Sequence, residues 1–173
     1  MRILVAHYSL TGNTRTLAQE LAHGLGARLE EIRDARPRGK FGTVLRALLD
    51  NVRKREAALA MPVHDPADYD LLLVGGPVWG RRIAPPVRAY ARRYGSRARR
   101  VAFFCTLGGD GAPAAFAELQ AACGQAPVAT LAVDAPHLPA PSHAEAAHRF
   151  MEQVRGQRAA TGTMPTGTAT TAD

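Results

Sequence analysis

Residues 3–14 read Ile3-Leu4-Val5-Ala6-His7-Tyr8-Ser9-Leu10-Thr11-Gly12-Asn13-Thr14, a short apolar run followed directly by hydroxyl, amide and glycine residues. The apolar run has the length and composition of a buried strand. A helical pattern follows, with Leu17, Leu21 and Leu25 four residues apart on one helical face. Residues 3–25 therefore predict a strand, a polar loop and a helix, which is the first half of a βαβ unit.

The same alternation continues along most of the chain. A run that is apolar on both faces, Leu71-Leu72-Leu73-Val74, predicts a central strand of a parallel sheet. Helical patterns follow each predicted strand, one of them carrying Val44, Leu45, Leu48 and Val52. The chain is therefore predicted to form an α/β fold, a three-layer α/β/α sandwich around a five-stranded parallel sheet. The five predicted strands are residues 3–8, 28–32, 71–74, 101–105 and 128–133.

The end of the chain differs in composition from the rest. A capping-box pattern, Ser142-His143-Ala144-Glu145, precedes the last predicted helix. Residues 156–173 are mostly Thr, Ala and Gly without periodicity, which predicts a disordered C-terminal tail. Residues 1–155 are accordingly predicted to form one domain.

Length and composition narrow the class of protein. At 173 residues the chain suffices for one domain, and it contains no apolar run of the roughly 20 residues that a membrane-spanning helix needs. The first residues lack the pattern of a secretory signal, and two cysteines make neither a disulfide framework nor a zinc site. Six histidines have no ligand spacing, so no metal site is expected. A cytoplasmic location is the expectation.

Basic residues are unevenly distributed. Residues 81–100 contain eight arginines and no acid, within a chain of formal net charge +7. Such a stripe is typical of proteins that bind nucleic acid, an anionic membrane or an acidic protein partner. The composition of the chain favours a compositional origin instead, because 20 of the 22 basic residues are Arg and 33 residues are Ala, as GC-rich coding produces.

The polar loop Ser9–Thr14 has the composition of an anion site. Backbone N–H groups at the start of a helix attract an anion, and glycine allows its close approach. An ordinary helix cap needs only one Ser, Thr or Asn, and this loop has four such residues. The nucleoside-triphosphate motif and the dinucleotide fingerprint are both absent, which leaves a monophosphate as the predicted ligand.

Three loops follow the first, third and fourth predicted strands: Ser9-x-Thr11-Gly12-x-Thr14, Gly75-Gly76-Pro77-Val78-Trp79-Gly80 and Thr106-Leu107-Gly108-Gly109-Asp110-Gly111. Together they resemble the loops of the flavodoxin family, in its short-chain type. The first is similar to that family's phosphate loop, and the other two are similar to its flavin-ring loops. The resemblance implies strand order 2-1-3-4-5 with FMN at the carboxyl ends of the strands, an order that the family supplies and the pattern does not. It implies FMN contacts from Ser9, Thr11, Gly12, Asn13, Thr14, Pro77, Val78, Trp79, Gly80, Thr106, Leu107, Gly108, Gly109 and Asp110.

Two features depart from carrier flavodoxins. Residues 106–111 contain no aromatic side chain to cover the second face of the ring, although Leu107 is a candidate for partial cover. Arg81 and Arg82 follow the first ring loop, where positive charge favours the reduced, anionic flavin. Trp79 offers a flat apolar face to the ring, or it serves only as a core or interface anchor.

The sequence leaves several functions open. The resemblance implies electron transfer by an FMN-binding flavoprotein, with an acidic redox protein as one possible partner. The uncovered ring face instead favours an oxidoreductase that uses NAD(P)H and a small acceptor such as a quinone. A third reading is a non-redox binder of nucleic acid or anionic ligands through Arg81 to Arg100. No catalytic side chain is assigned.

Overall fold

A computed structural model describes residues 1–33, 35, 59–135 and 141–160 of the chain. The predicted helix around Val44 to Val52 lies outside the described residues. The described strands are β1 (Ile3–His7), β2 (Arg28–Glu31), β3 (Leu71–Trp79), β4 (Arg82–Ile83), β5 (Val101–Leu107) and β6 (Pro127–Asp134). The described α-helices are α1 (Asn13–Leu25), α2 (Pro85–Tyr94), α3 (Ala112–Cys123) and α4 (Pro141–Ala160).

The sheet has the order β2-β1-β3-β5-β6, with β4 paired to β3 outside this path. All pairs along the path are parallel, with Leu4 opposite Leu72 and Leu72 opposite Val101 in the central register. Because β4 is a short antiparallel addition, the five parallel strands follow the predicted order 2-1-3-4-5. The predicted α/β sandwich is confirmed.

Two apolar cores lie on the two faces of the sheet. Successive residues of a strand point to opposite faces, so Leu71 and Leu73 join one core while Leu72 and Val74 join the other. The first core packs against α1 and α4, and the second packs against α2 and α3. Continuous apolar runs in β3 and β5 are therefore explained by burial on both faces.

Two strands extend beyond their predicted ends. β3 continues through Gly75 and Gly76 to Trp79, and β5 continues to Leu107, so the predicted ring loops begin on strands. Gly and Pro in residues 75–80 suggested a loop, but the glycines serve close packing instead. A Cβ on Gly75 would clash with the carbonyl oxygen of Phe104. Glycine here marks the approach of a neighbouring strand rather than a turn.

Other boundaries differ by smaller amounts. β1 ends at His7, one residue before its predicted end. Ser142 lies inside α4, which begins at Pro141, so the predicted capping position is wrong. α4 continues to Ala160, past the predicted domain end at 155, and residues 161–173 lie outside the described residues. The division into a domain and a tail stays a prediction. Within the described part of the chain, no helix combines the length and apolar character that crossing a membrane requires.

Candidate functional site

Three segments converge at the carboxyl edge of the sheet. Ser9–Thr14 follows β1. Residues 77–79 end β3 and Gly80 begins the turn after it, and residues 106–111 end β5 and lead into α3. β1, β3 and β5 are neighbours in the sheet, so parallel pairing brings their carboxyl ends together. Fold topology therefore places the three predicted site segments side by side.

The first segment is shaped to receive an anion. Gly12 is the N-cap of α1 with φ 105°, and no side chain caps the helix. The Gly12 N–H donates to the Ser9 hydroxyl at 3.1 Å, which closes the loop. The first turn of α1 carries no acid, and its N–H groups have no acceptor within the helix. Hydroxyls, an amide and helix N–H groups without a carboxylate fit the phosphate group of FMN.

Thr14 joins the first segment to the third. Its hydroxyl lies 2.7 Å from the hydroxyl of Thr106, and both residues are buried. The predicted phosphate contact of Thr14 therefore competes with a bond inside the protein. Thr11 is exposed, and Ser9, Gly12 and Asn13 are half-buried, so these four residues form the accessible part of the loop.

The second segment is a tight hairpin. β3 and β4 pair antiparallel, with Trp79 opposite Arg82, and the two residues between them are Gly80 (φ 56°) and Arg81 (φ 65°). Two consecutive positive φ values are typical of a type I′ turn, which matches the twist of a two-residue hairpin. Trp79 is half-buried at the tip of the hairpin. The rings of Tyr8 and Trp79 are nearly perpendicular, with an interplanar angle of 83° and centroids 6.1 Å apart.

The third segment contacts the hairpin turn. Gly111 is the N-cap of α3 with φ 112°, and this helix also begins without a capping side chain or an acid in its first turn. A Cβ on Gly111 would lie 2.7 Å from the Cα of Arg81, so only glycine allows this approach. Gly108, Gly109 and Asp110 form the exposed part of the segment. Leu107 is packed into the core, which leaves little of it to cover a ring.

Most of the arginine stripe is engaged in ion pairs. Five of its eight arginines pair with carboxylates from other parts of the chain. A surface that binds nucleic acid needs cations directed at phosphates, and these cations are directed at the protein's own acids. The five pairs are Arg81–Asp110, Arg82–Glu118, Arg88–Glu118, Arg97–Asp65 and Arg99–Asp70.

Two further titratable residues lie near the carboxyl edge. His7 is buried at the end of β1, and its Nδ1 lies 3.1 Å from the Glu30 carbonyl oxygen. Burial lowers the pKa of His7, and this effect outweighs the negative charge of Glu31, which raises it. Burial raises the pKa of the Cys105 thiol to about 12. A thiol with such a pKa is not ionised at neutral pH, as a packed and unreactive cysteine requires.

The family of this chain follows from its match to a protein-family model. A model described as flavodoxin matches residues 2–132, about three quarters of the chain. The chain belongs to the flavodoxin family. A comparison of this flavodoxin with curated proteins found no match.

Several solved structures share the fold of this flavodoxin. A putative flavoprotein from Bacteroides uniformis ATCC 8492 has a TM-score of 0.70 at 19% identity, covering 89% of this chain and 97% of that one. A flavoprotein from Lactobacillus acidophilus NCFM, solved in complex with FMN, has a TM-score of 0.65 at 22% identity over 76% and 92%. A flavodoxin from the domain Archaea has a TM-score of 0.56 at 15% identity over 91% and 98%.

Sequence reasoning missed one residue of this flavodoxin that contacts the hairpin. Glu118 of α3 accepts hydrogen bonds from Arg82 and Arg88 and from the backbone of Ile83. A signal was present, because Glu118 is the only charged residue of α3 while residues 81–100 carry eight arginines without an acid. An isolated carboxylate in an alanine-rich helix is the expected partner of such arginines.

Proposed function

We propose that this flavodoxin binds FMN at the carboxyl edge of the sheet and transfers electrons through it. The observation that carries the proposal is the convergence of two uncapped, acid-free helix starts beside the only tryptophan of the chain. Family membership and the FMN complex of the Lactobacillus acidophilus flavoprotein support it. Bound FMN supplies the redox centre, and the protein binds and orients it.

The phosphate lies at the start of α1. Ser9, Thr11 and Asn13 surround it with hydroxyl, amide and backbone donors, and Gly12 allows its close approach. The helix dipole favours its negative charge. Thr14 keeps its bond to Thr106 and so holds the loop against β5. No carboxylate of the first turn repels the phosphate.

The ring lies between the hairpin and the third segment. Trp79 provides a flat apolar face, held in orientation by its T-shaped contact with the Tyr8 ring. Pro77, Val78 and Gly80 line the same side. The third segment reaches the polar edge of the ring through the exposed backbone N–H groups of Gly108, Gly109 and Asp110. Thr106 and Leu107 are buried behind them in β5.

Reduction of a small acceptor is the second candidate. The third segment carries no aromatic side chain, and Leu107 is packed into the core rather than over the ring. One ring face is therefore accessible to a flat acceptor such as a quinone, or to a nicotinamide donor.

Titration of the flavin-free protein tests the binding proposal. Addition of FMN quenches both the flavin fluorescence and the emission of Trp79, whereas an absence of quenching at micromolar concentrations overturns the proposal. The role is then decided by steady-state assays with NADH or NADPH and a quinone. Turnover above that of free FMN establishes a reductase, and turnover no faster than that of free FMN supports the role of an electron carrier.

The Arg81–Asp110 pair is expected to tune the reduction potential. Its nitrogen and oxygen atoms lie 3.3 Å apart, and both side chains are largely exposed. In the FMN-loaded protein, Asp110→Asn leaves the Arg81 charge uncompensated and raises the midpoint potential at low salt, while Arg81→Gln lowers it. A unit charge about 8 Å away in water changes an energy by ~0.5 kcal/mol, a shift on the order of 20 mV.

Potentiometric titration at low and high ionic strength measures the effect. Screening removes it above about 0.5 M salt, because exposed charges are screened over a few ångströms there. Equal potentials in the wild type and both variants at low salt would show that the pair lies too far from the ring to influence it.

A further inference from the structure

Glu118 holds three donors from two elements beside the site. Its Oε1 accepts from Arg82 Nη2 at 2.7 Å and from Arg88 Nη1 at 2.9 Å, and its Oε2 accepts from the Ile83 N–H at 3.2 Å. The Glu118 side chain is 16% exposed and that of Arg88 only 7%. Both oxygens of the carboxylate are thus occupied in a largely buried place.

Two of the three donors belong to β4, the return strand of the Trp79 hairpin. Arg82 is the direct cross-strand partner of Trp79, so the two side chains lie on the same face of the hairpin. β4 has only two residues, and a ribbon this short is not stable without further support. Glu118 provides support from α3, the helix that begins at the third segment.

We infer that Glu118 is a positioning residue that fixes the Trp79 hairpin at a set distance from the third segment and so defines the width of the ring site. The inference rests on the proposed function, since the ring is what the two segments enclose. Glu118 itself contacts Arg82, Ile83 and Arg88, and it acts on the ring only through the hairpin.

The Glu118 carboxylate is charged at neutral pH. Burial opposes ionisation of Glu118, but hydrogen bonds from Arg82 and Arg88 outweigh it and hold its pKa below the ordinary value. A group with a lowered pKa in the folded state keeps its stabilising bonds above that pKa and loses them only in acid. The hairpin is therefore anchored over the whole neutral range.

Arg82→Met tests the inference without disturbing the buried pair. It removes the side-chain contact from β4 and leaves Arg88 bonded to Glu118. Arg155→Met is the matched control, because Arg155 is similarly exposed and pairs with Glu152 on α4. Since Trp79 is the only tryptophan, its emission and its quenching by acrylamide report on the hairpin in the flavin-free protein.

In Arg82→Met we expect a red-shifted Trp79 emission, stronger acrylamide quenching and about 10-fold weaker FMN binding. The apparent affinity falls by the fraction of molecules in which the hairpin is correctly placed, and a fraction of about one tenth gives this value. Riboflavin, which lacks the phosphate, should lose affinity by the same factor. Arg155→Met should match the wild type, and Arg82→Lys should recover part of the affinity.

Glu118→Gln is the second variant, and it should exceed Arg82→Met in both effects because Ile83 and Arg88 lose the carboxylate as well. Wild-type emission, quenching and FMN affinity in Arg82→Met overturn the inference while leaving the proposed function intact. A loss confined to FMN, with riboflavin unaffected, also overturns it. A wild-type protein that binds no FMN overturns the proposed function itself, so the two failures are distinguishable.

Discussion

Asn13→Asp weakens FMN binding by about 100-fold, leaves riboflavin binding unchanged and does not destabilise the flavin-free protein. Asn13 is the first residue of α1, in a first turn without acids. The substitution changes one amide into a carboxylate of the same shape, so the difference is almost purely one of charge. FMN and riboflavin differ only in the phosphate, so the comparison isolates that end of the ligand.

The expected magnitude follows from the short distance between two anions. At an effective dielectric constant near 20, like charges about 6 Å apart repel by roughly 3 kcal/mol, which corresponds to about 100-fold in affinity. In the absence of ligand, the same carboxylate is expected to stabilise the protein. A carboxylate at a helix start stabilises the helix by about 0.3–1 kcal/mol through the dipole and the unpaired N–H groups.

Parallel titrations with FMN and riboflavin, together with thermal unfolding of the flavin-free protein, measure all three effects. Gln19→Glu is the control, since it introduces the same charge on an exposed side of the same helix, about 9 Å further from its start. It should weaken FMN binding by less than about threefold, because solvent screens it. Equal losses of affinity for FMN and riboflavin, or equal losses in the two variants, would show that the phosphate is not bound at the start of α1.

The fold was predictable because burial shows directly in the sequence. A run that is apolar at every position, such as Leu71-Leu72-Leu73-Val74, is typical of a strand covered on both faces, and the structure places it between β1 and β5. The first segment was predictable because its polar residues directly follow the apolar run of β1 and precede a helix. Strand order came from the family resemblance and not from periodicity.

The hairpin was not predictable from local patterns. Glycine and proline in residues 75–80 resemble a loop, yet Gly75 is required by the approach of Phe104, a contact from 29 residues away in the chain. The turn itself places Arg81 at φ 65°, a conformation usually taken by Gly, Asn or Asp. Tertiary contacts, including the approach of Gly111 to Arg81, stabilise what local propensity does not favour.

The meaning of the arginine stripe was also set by tertiary structure. In sequence, eight arginines without an acid suggest a surface for an anionic partner. In the folded chain, five of these arginines form ion pairs with the carboxylates of Asp65, Asp70, Asp110 and Glu118. Charge runs report composition along the chain, whereas binding depends on which charges remain unpaired in three dimensions.

Trp79→Ala is expected to weaken the binding of FMN and riboflavin by the same factor, about 30-fold. Stacking of one nucleic-acid base on an aromatic side chain contributes about 1–3 kcal/mol, and ~2 kcal/mol corresponds to 30-fold. The flavin ring is larger than a base, but Trp79 is already partly covered by Tyr8 and gives up less surface on binding. The phosphate contacts are untouched, so the two ligands lose equally.

Flavin fluorescence quenching measures both affinities, because the variant has no tryptophan emission to follow. Trp79→Phe keeps a flat ring and should retain most of the affinity. Tyr69→Ala is the matched control: His64 and Tyr69 form an edge-on pair with centroids 6.1 Å apart, the same spacing as Tyr8 and Trp79, at the opposite end of β3. Because both pairs contribute to packing, a loss of affinity in Trp79→Ala alone assigns the effect to the ring site, and unchanged affinity would reduce Trp79 to an anchor for Tyr8.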